Sequence, residues 1–195
     1  MVKVNTFRFH GMNLLFWLFY LVPILLISCL PPDGLILADS GKANYFIVMP
    51  DNPTPVERTS AQELKKYLDQ ISDADFVILK ESESEDVSPQ IIVGDVGRIR
   101  KLLPELTIQS LPYDGIVRET VGKNMILVGH PVRGTLYAVN TFLEEACGVR
   151  WWTSGESFVP SRRKLIVPKQ HLQYAPALIY RESFYKDGVD NLFCA

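Results

Sequence analysis

Hydrophobic and polar positions alternate along this chain with two different periods, and the switches between them mark the elements. Tyr45-Phe46-Ile47-Val48-Met49 is a short apolar run broken by Pro50 and Pro53, which predicts a buried strand. Thr54-Pro55-Val56-Glu57 then has the form of a capping box, with a Thr cap, Pro at the first helical position and Glu three residues after the cap. Behind it Ala61, Leu64, Leu68 and Ile71 recur at spacings of three and four, while Glu63, Lys65, Lys66 and Asp69 take the other side. That is an amphipathic helix. Phe76-Val77-Ile78-Leu79 predicts a second strand, and the acidic, serine-rich stretch 81–88 a solvated loop. Gln90-Ile91-Ile92-Val93-Gly94 reads as another buried strand, and Val96 to Leu103 as a short helix ended by Pro104.

The segments 113–121 and 125–129 flank Gly122-Lys123-Asn124, a spacing suited to a β-hairpin. A second long helix is predicted from about Arg133 to Cys147. Leu136, Val139, Asn140, Leu143 and Ala146 or Cys147 form its apolar stripe, and Gly148 stands where a helix stop belongs. Leu64, Leu68, Leu136 and Leu143 are the expected core where the two helices meet the sheet. Lys164-Leu165-Ile166-Val167-Pro168 gives one more short strand. This order of elements predicts an α+β fold, an α/β sandwich in which a mixed β-sheet is covered by two main helices.

The first residues stand apart from that fold. Lys3 and Arg8 precede a 14-residue apolar run from Leu14 to Ile27, and no acidic residue occurs before Asp33, which is the layout of a secretory signal. The run falls short of the ~20 residues that a transmembrane helix needs. It ends in Leu26-Ile27-Ser28-Cys29, which resembles the lipobox of bacterial lipoproteins. The resemblance implies a signal peptide over 1–28, lipid attachment at Cys29 and a protein exported and anchored in the cell envelope, periplasmic or at the surface. Residues 29–42, with prolines, glycines and small polar residues, are the expected tether.

Removing Lys3 and Arg8 from the 20 basic residues leaves 18 against 22 acidic ones, a net charge near −4, and the one basic cluster is Arg162-Arg163-Lys164. Nucleic acid is not an expected partner. Val93-Gly94-Asp95-Val96-Gly97 sits between a strand and a helix, but neither G-x-G-x-x-G nor G-x-x-x-x-G-K-[ST] is present to cradle phosphates. His130 and His171 are the only histidines past the signal, with no H-E-x-x-H and no cysteine cluster, so no metal and no cofactor is expected. Glycoside hydrolysis uses two carboxylates facing each other. Glu144 and Glu145 are adjacent on a helix and point about 100° apart, so they read as a solvated face, and no catalytic residue is assigned. Trp151 and Trp152 follow the helix in an extended segment, where alternation sends one indole inward and the other to the surface.

Gly129-His130-Pro131-Val132-Arg133-Gly134-Thr135-Leu136-Tyr137, the following Leu143-Glu144-Glu145 and Gly148-Val149-Arg150-Trp151-Trp152-Thr153 resemble the N-terminal domain of α-glucuronidase-related proteins. The A-x-x-L-x-x-Y-L helix (Ala61, Leu64, Tyr67, Leu68) and the I-I-V-G strand (Ile91 to Gly94) extend the likeness over roughly residues 43–185. More distantly the segment is similar to the second domain of β-hexosaminidases. Ala138 departs from the pattern, standing where such proteins more often carry glycine. The resemblance implies a sheet with two helices on one face over 43–169, and over 170–195 the start of a catalytic barrel that is not contained here. It implies a non-catalytic accessory domain of a carbohydrate-degrading enzyme, whose partner is that barrel or a polysaccharide. A barrel-interface or sugar contact then falls to Trp151, Trp152, Tyr180, Arg181 and Phe184. The alternative is a stand-alone envelope carbohydrate-binding or scaffold lipoprotein.

Overall fold

A computed structural model describes residues 34–178, apart from 86 and 154. Cys29, Tyr180, Arg181 and Phe184 lie outside the described residues. The strands are β1 (Gly34–Asp39), β2 (Lys42–Ala43), β3 (Phe46–Met49), β4 (Ile78–Lys80), β5 (Gln90–Val93), β6 (Ile116–Val121), β7 (Asn124–Gly129), β8 (Arg150–Trp151), β9 (Ser157–Phe158), β10 (Lys164–Pro168) and β11 (His171–Tyr174). The helices are α1 (Pro55–Ser72), the single turn α2 (Ile99–Leu102) and α3 (Gly134–Phe142), which runs on as a π-helical turn over Leu143–Cys147.

Among these residues one sheet has the order β11-β6-β7-β5-β3-β4. Its β4, β3, β5 and β7 are parallel, and β6 and β11 are antiparallel additions beyond β7. The fold is α+β, a mixed sheet with two main helices on one face. Side chains alternate between the faces as strand geometry requires. Ile47, Ile91, Val93, Met125 and Leu127 face α1 and α3, joining Leu64, Leu68, Phe142 and Leu143 in the main core. Val48, Ile92, Ile126 and Val128 face the other way, under Val96, Ile99, Ile108 and Leu111.

The capping box forms as expected. Thr54 Oγ1 accepts from Glu57 N at 3.2 Å, and Glu57 Oε2 accepts from Thr54 N at 2.8 Å. The β6–β7 hairpin turns at Gly122, and Gly148 ends the second helix with φ +87°. The helical stripe is rotated from the expected one. Ala138, Val139, Phe142 and Leu143 are buried, whereas Leu136 and Asn140 are half-buried. The cause is the docking of the first turn: a Cβ at Gly134 would lie 2.5 Å from Gly115 O and 2.7 Å from Gly129 C, so this backbone contact sets the helix's rotation.

Three other expectations are corrected. From Gly34 onward the supposed tether is β1, which pairs antiparallel with β10 and buries Leu35 and Leu37. The apolar run Leu35-Ile36-Leu37-Ala38 supplies a strand whose alternate residues Leu35 and Leu37 point into the core, in spite of the preceding Pro and Gly. At the other boundary, His171–Tyr174 adds to the main sheet beside β6, so the domain runs past residue 169, and residues 179–195 of the expected barrel start lie outside the described residues. Finally, the acidic stretch after β4 is folded back on the chain. Glu81 accepts from the Gly97 and Arg98 amides, each at 2.9 Å, because the start of α2 has donors that no helical carbonyl can satisfy. Ser84 is buried there, and its carbonyl accepts from Arg98 and Gln90.

Candidate functional site

In the parallel part of the sheet, β3 leads through α1 to β4 on one side, while β5 leads through residues 94–115 towards β6 and β7 on the other. Connections therefore diverge between β3 and β5, the place outside the strand ends where open parallel sheets bind ligands. Here the loops after β3, β5 and β7 surround a cleft of about 250 Å³, lined by Asn52, Thr54, Glu57, Asp95, Gln109 and Thr135 among others.

Glu57 dominates one wall. Besides capping α1 it accepts from the Asp95 amide through Oε1 at 2.7 Å, so one carboxylate ties the helix start to the loop after β5. Gly94 makes room for it: its φ is +89°, and a Cβ there would lie 2.6 Å from Glu57 Oε1. The strand-Gly-helix pattern of Val93 to Gly97 thus cradles the protein's own carboxylate. A phosphate placed at α1 would meet that negative charge.

The opposite wall is the start of α3. His130 N donates to Gly115 O at 2.8 Å and Gly134 N to His130 O at 2.8 Å, drawing residues 115, 130 and 134 together. Arg133 makes a two-pronged contact with buried Asp114, Nε–Oδ1 2.6 Å and Nη2–Oδ2 3.0 Å. Its guanidinium lies over the rings of Tyr113, at 5.1 Å, and Tyr137, at 5.6 Å. Asp114 pushes the Arg133 pKa still further up, so the charge is permanent. The R-G-T-L-Y segment is therefore a packing device in which Arg133 anchors the loop that leads into β6 and Gly134 permits backbone contact.

The other carboxylates that sequence reading weighed have structural neighbours. Glu144 is exposed; Glu145, also at the surface, pairs with the guanidinium of Arg118, whose side chain is only 6% exposed. Arg118 Nε and Nη1 are buried without a hydrogen-bond partner among the described residues. Glu119, on the next residue and the opposite face, bonds His171 at 2.9 Å and raises its pKa above the ordinary 6.5. A second cleft, of about 430 Å³, runs between that pair and residues 103–112. Cys147 is buried in the core, and burial pushes its thiol pKa up to about 12, so it is a packing residue.

The tandem tryptophans divide as alternation requires. Trp151 packs inward, and its indole N–H donates to Tyr67 OH at 2.8 Å. Trp152 is 63% exposed and leaves the β8–β9 hairpin near exposed Phe158.

A domain of this build occurs in a known enzyme. The solved structure titled "A novel family GH115 4-O-Methyl-alpha-glucuronidase, BtGH115A, with specificity for decorated arabinogalactans" matches with a TM-score of 0.52 at 16% identity. The fold is shared with a glycoside hydrolase. The match covers 75% of this chain and 19% of that one, so the chain spans about a fifth of that enzyme's length. No family model matches the chain, and comparison with curated proteins finds no match.

Sequence reading expected one of Trp151 and Trp152 inside and the other at the surface without saying which, and it did not find the cleft. Its walls come from Thr54, Glu57, Asp95 and Thr135, which are separated in the chain and meet only through the parallel sheet. The signals were present in part: Glu57 was legible as a cap, though not as the partner of Asp95. The ion pairs Asp114–Arg133 and Glu145–Arg118 span 19 and 27 residues and leave no local pattern.

Proposed function

We propose that this chain is the non-catalytic α+β domain of a carbohydrate-degrading, glycoside-hydrolase-related protein. The observation that carries the reading is the fold likeness, which falls on a fifth of a glucuronidase's length and leaves the greater part of that enzyme unmatched. The local chemistry agrees with it. Glu57 serves α1 and the loop after β5, Asp114 holds Arg133, and Glu145 covers Arg118.

The charged start, the short apolar run and Leu26-Ile27-Ser28-Cys29 support an exported protein held in the bacterial envelope by lipid on Cys29. Two acyl chains suffice for stable anchoring. Labelling with a radioactive fatty acid is expected to mark the wild type and not Cys29→Ser; equal labelling of both would remove the anchor from this proposal.

Exposed Trp152 favours a second reading, a stand-alone envelope protein that holds polysaccharide on its aromatic surface. In the accessory reading the same indole packs against the remainder of a larger polypeptide. The decisive assay is hydrolysis of aryl glucuronides and aryl N-acetylhexosaminides by the full chain, beside a Glu144→Gln, Glu145→Gln double variant. No turnover is expected. Turnover by the wild type that vanishes in the double variant would place catalysis in this domain and overturn the reading.

A further inference from the structure

Arg98, Arg118 and Arg133 each pair with a carboxylate, but their remaining donors fare differently. Arg98 gives Nη1 to Ser84 O and Gln90 Oε1, and Nη2 to Glu81 O and Ser84 Oγ. Arg133 holds Asp114 with two nitrogens. Arg118 is the most deeply placed of the three, with 6% of its side chain exposed against 20% for Arg98 and 43% for Arg133. Yet it has one acceptor, Glu145 Oε2 on Nη2, and its Nε and Nη1 are buried without a hydrogen-bond partner among the described residues. Polar groups so deeply buried are normally paired, and an orphaned donor costs most on a charged group.

The surroundings of Arg118 have the parts of a site. It stands opposite Leu127 of β7 and Leu172 of β11, so it points to the helix-covered face of the sheet. On that face β11 also presents Leu172, partly buried against the core, and Tyr174, which is half exposed. Together they make an apolar shelf along the strand next to Arg118. Glu145 closes the site from a π-helical turn, a geometry that recurs at functional sites. Its side chain is 60% exposed, and a carboxylate so placed is held weakly. Turned into water, it uncovers a guanidinium with no other acceptor.

We propose that Arg118 anchors a binding site for a small organic monocarboxylate, in which Glu145 is both the resident stand-in and the gate. The incoming carboxylate makes a two-pronged contact with the guanidinium, filling donors that Glu145 leaves open, and its apolar body lies along Leu172 and Tyr174. The planar fork of arginine matches a carboxylate edge to edge. Charge selects a monoanion: it replaces the single charge of the displaced Glu145, whereas a phosphate dianion would add a second negative charge beside exposed Glu144. The site lies on the helix side of the sheet, apart from the cleft at the strand ends, and its occupation neither requires nor supplies a hydrolytic acid and base.

Proton–nitrogen NMR on the full chain, titrated with sodium benzoate and sodium butyrate and with sodium chloride at equal ionic strength, tests the proposal. The Arg118 Nε–H signal and the backbone amide at position 145 are expected to shift saturably with at least one carboxylate and not with chloride. Arg118→Met, close in volume, should weaken the affinity roughly 10- to 100-fold, the loss of charged hydrogen bonds. Arg118→Lys keeps the charge without the fork and should weaken it as well, which covers the case in which the first variant does not fold. Glu145→Gln should tighten binding roughly 2- to 5-fold, because the gate no longer competes; a purely structural pair would give no such gain. Thermal melts check that each variant keeps its fold. Absence of a saturable shift with both carboxylates would overturn the site, as would affinity that survives both Arg118 substitutions or falls in Glu145→Gln. Tighter binding of inorganic phosphate than of either carboxylate would refute the monoanion assignment. An Nε–H that exchanges with a bound water and moves with none of the salts would leave these donors to water alone and end the proposal. None of these results bears on the hydrolysis assay, so the accessory-domain reading stands or falls separately.

Discussion

Trp151 donates its indole N–H to the hydroxyl of Tyr67 across 2.8 Å, and the two rings meet edge to face with centroids 5.4 Å apart. The contact fastens the segment after α3 and its π-helical turn to the buried side of α1, 84 residues earlier. Tyr67→Phe keeps the ring contact and removes the acceptor, leaving a partly buried N–H unpaired. A loss of ~0.5–1.5 kcal/mol is expected. A urea midpoint identical to wild type, with an unchanged slope, would show that water replaces the bond at no cost. Trp152→Ala, at the exposed neighbour, should fall within ~0.5 kcal/mol of wild type.

Leu143 begins the π-helical turn and is fully buried where α3 meets α1 and the sheet. Its replacement by Ala should cost ~2–5 kcal/mol, the range for a cavity in a core that cannot fully collapse. Leu136→Ala on the same helix, half-buried, should cost clearly less. Equal losses measured by denaturant unfolding would put the buried stripe back where periodicity alone places it.

Gly134→Ala tests the backbone contact at the start of α3. Alanine normally favours a helix interior, yet here its methyl would meet Gly115 O at 2.5 Å and Gly129 C at 2.7 Å. Both are main-chain atoms and cannot swing aside. Destabilisation of ~1–3 kcal/mol is expected from the forced shift, read as a lowered melting temperature. A rise in melting temperature would mean that propensity outweighs the clash.

Periodicity made the two helices, the hairpin and the buried parallel strands legible, because each is written in residues close in sequence. The capping box at Thr54–Glu57 was readable for the same reason. What periodicity left open is what distant residues decide together. β1 was hidden by Pro31, Pro32 and Gly34, whose composition suggests a tether, and its partner β10 is remote. The rotation of α3 depends on a three-way contact of Gly115, Gly129 and Gly134 that no single window contains. Glu81 and Glu57 looked like a solvated charge and a simple cap, and only the fold brings the amides of residues 95, 97 and 98 to them.

His171 and Glu119 give the fold a modest pH dependence. Glu119 raises the His171 pKa above 6.5, chiefly through its hydrogen bond and then through its charge. The protonated pair therefore adds stability below the unfolded value of ~6.5, and that contribution is lost as pH rises through the raised folded value. Salt should weaken it, since the imidazole is exposed. An NMR titration is expected to show the His171 pKa falling in Glu119→Gln; no change would mean that the two side chains do not pair in solution.

The pairing of β1 with β10 has a consequence for the order in which the molecule assembles. Gly34 lies opposite Pro168, a separation of 134 residues. β1 can pair at once with β2, through Ala38–Ala43 and Asp39–Lys42, but its other edge has no partner until nearly all of the domain has been made. Loop closure of that length is entropically costly and slows folding. In the interval Leu35 and Leu37 lack the cover of Leu165 and Val167, and the parallel sheet can form without that contact. The earliest residues of the domain are then among the last to be enclosed, and a chain interrupted before residue 164 would carry an apolar strand with one edge left open.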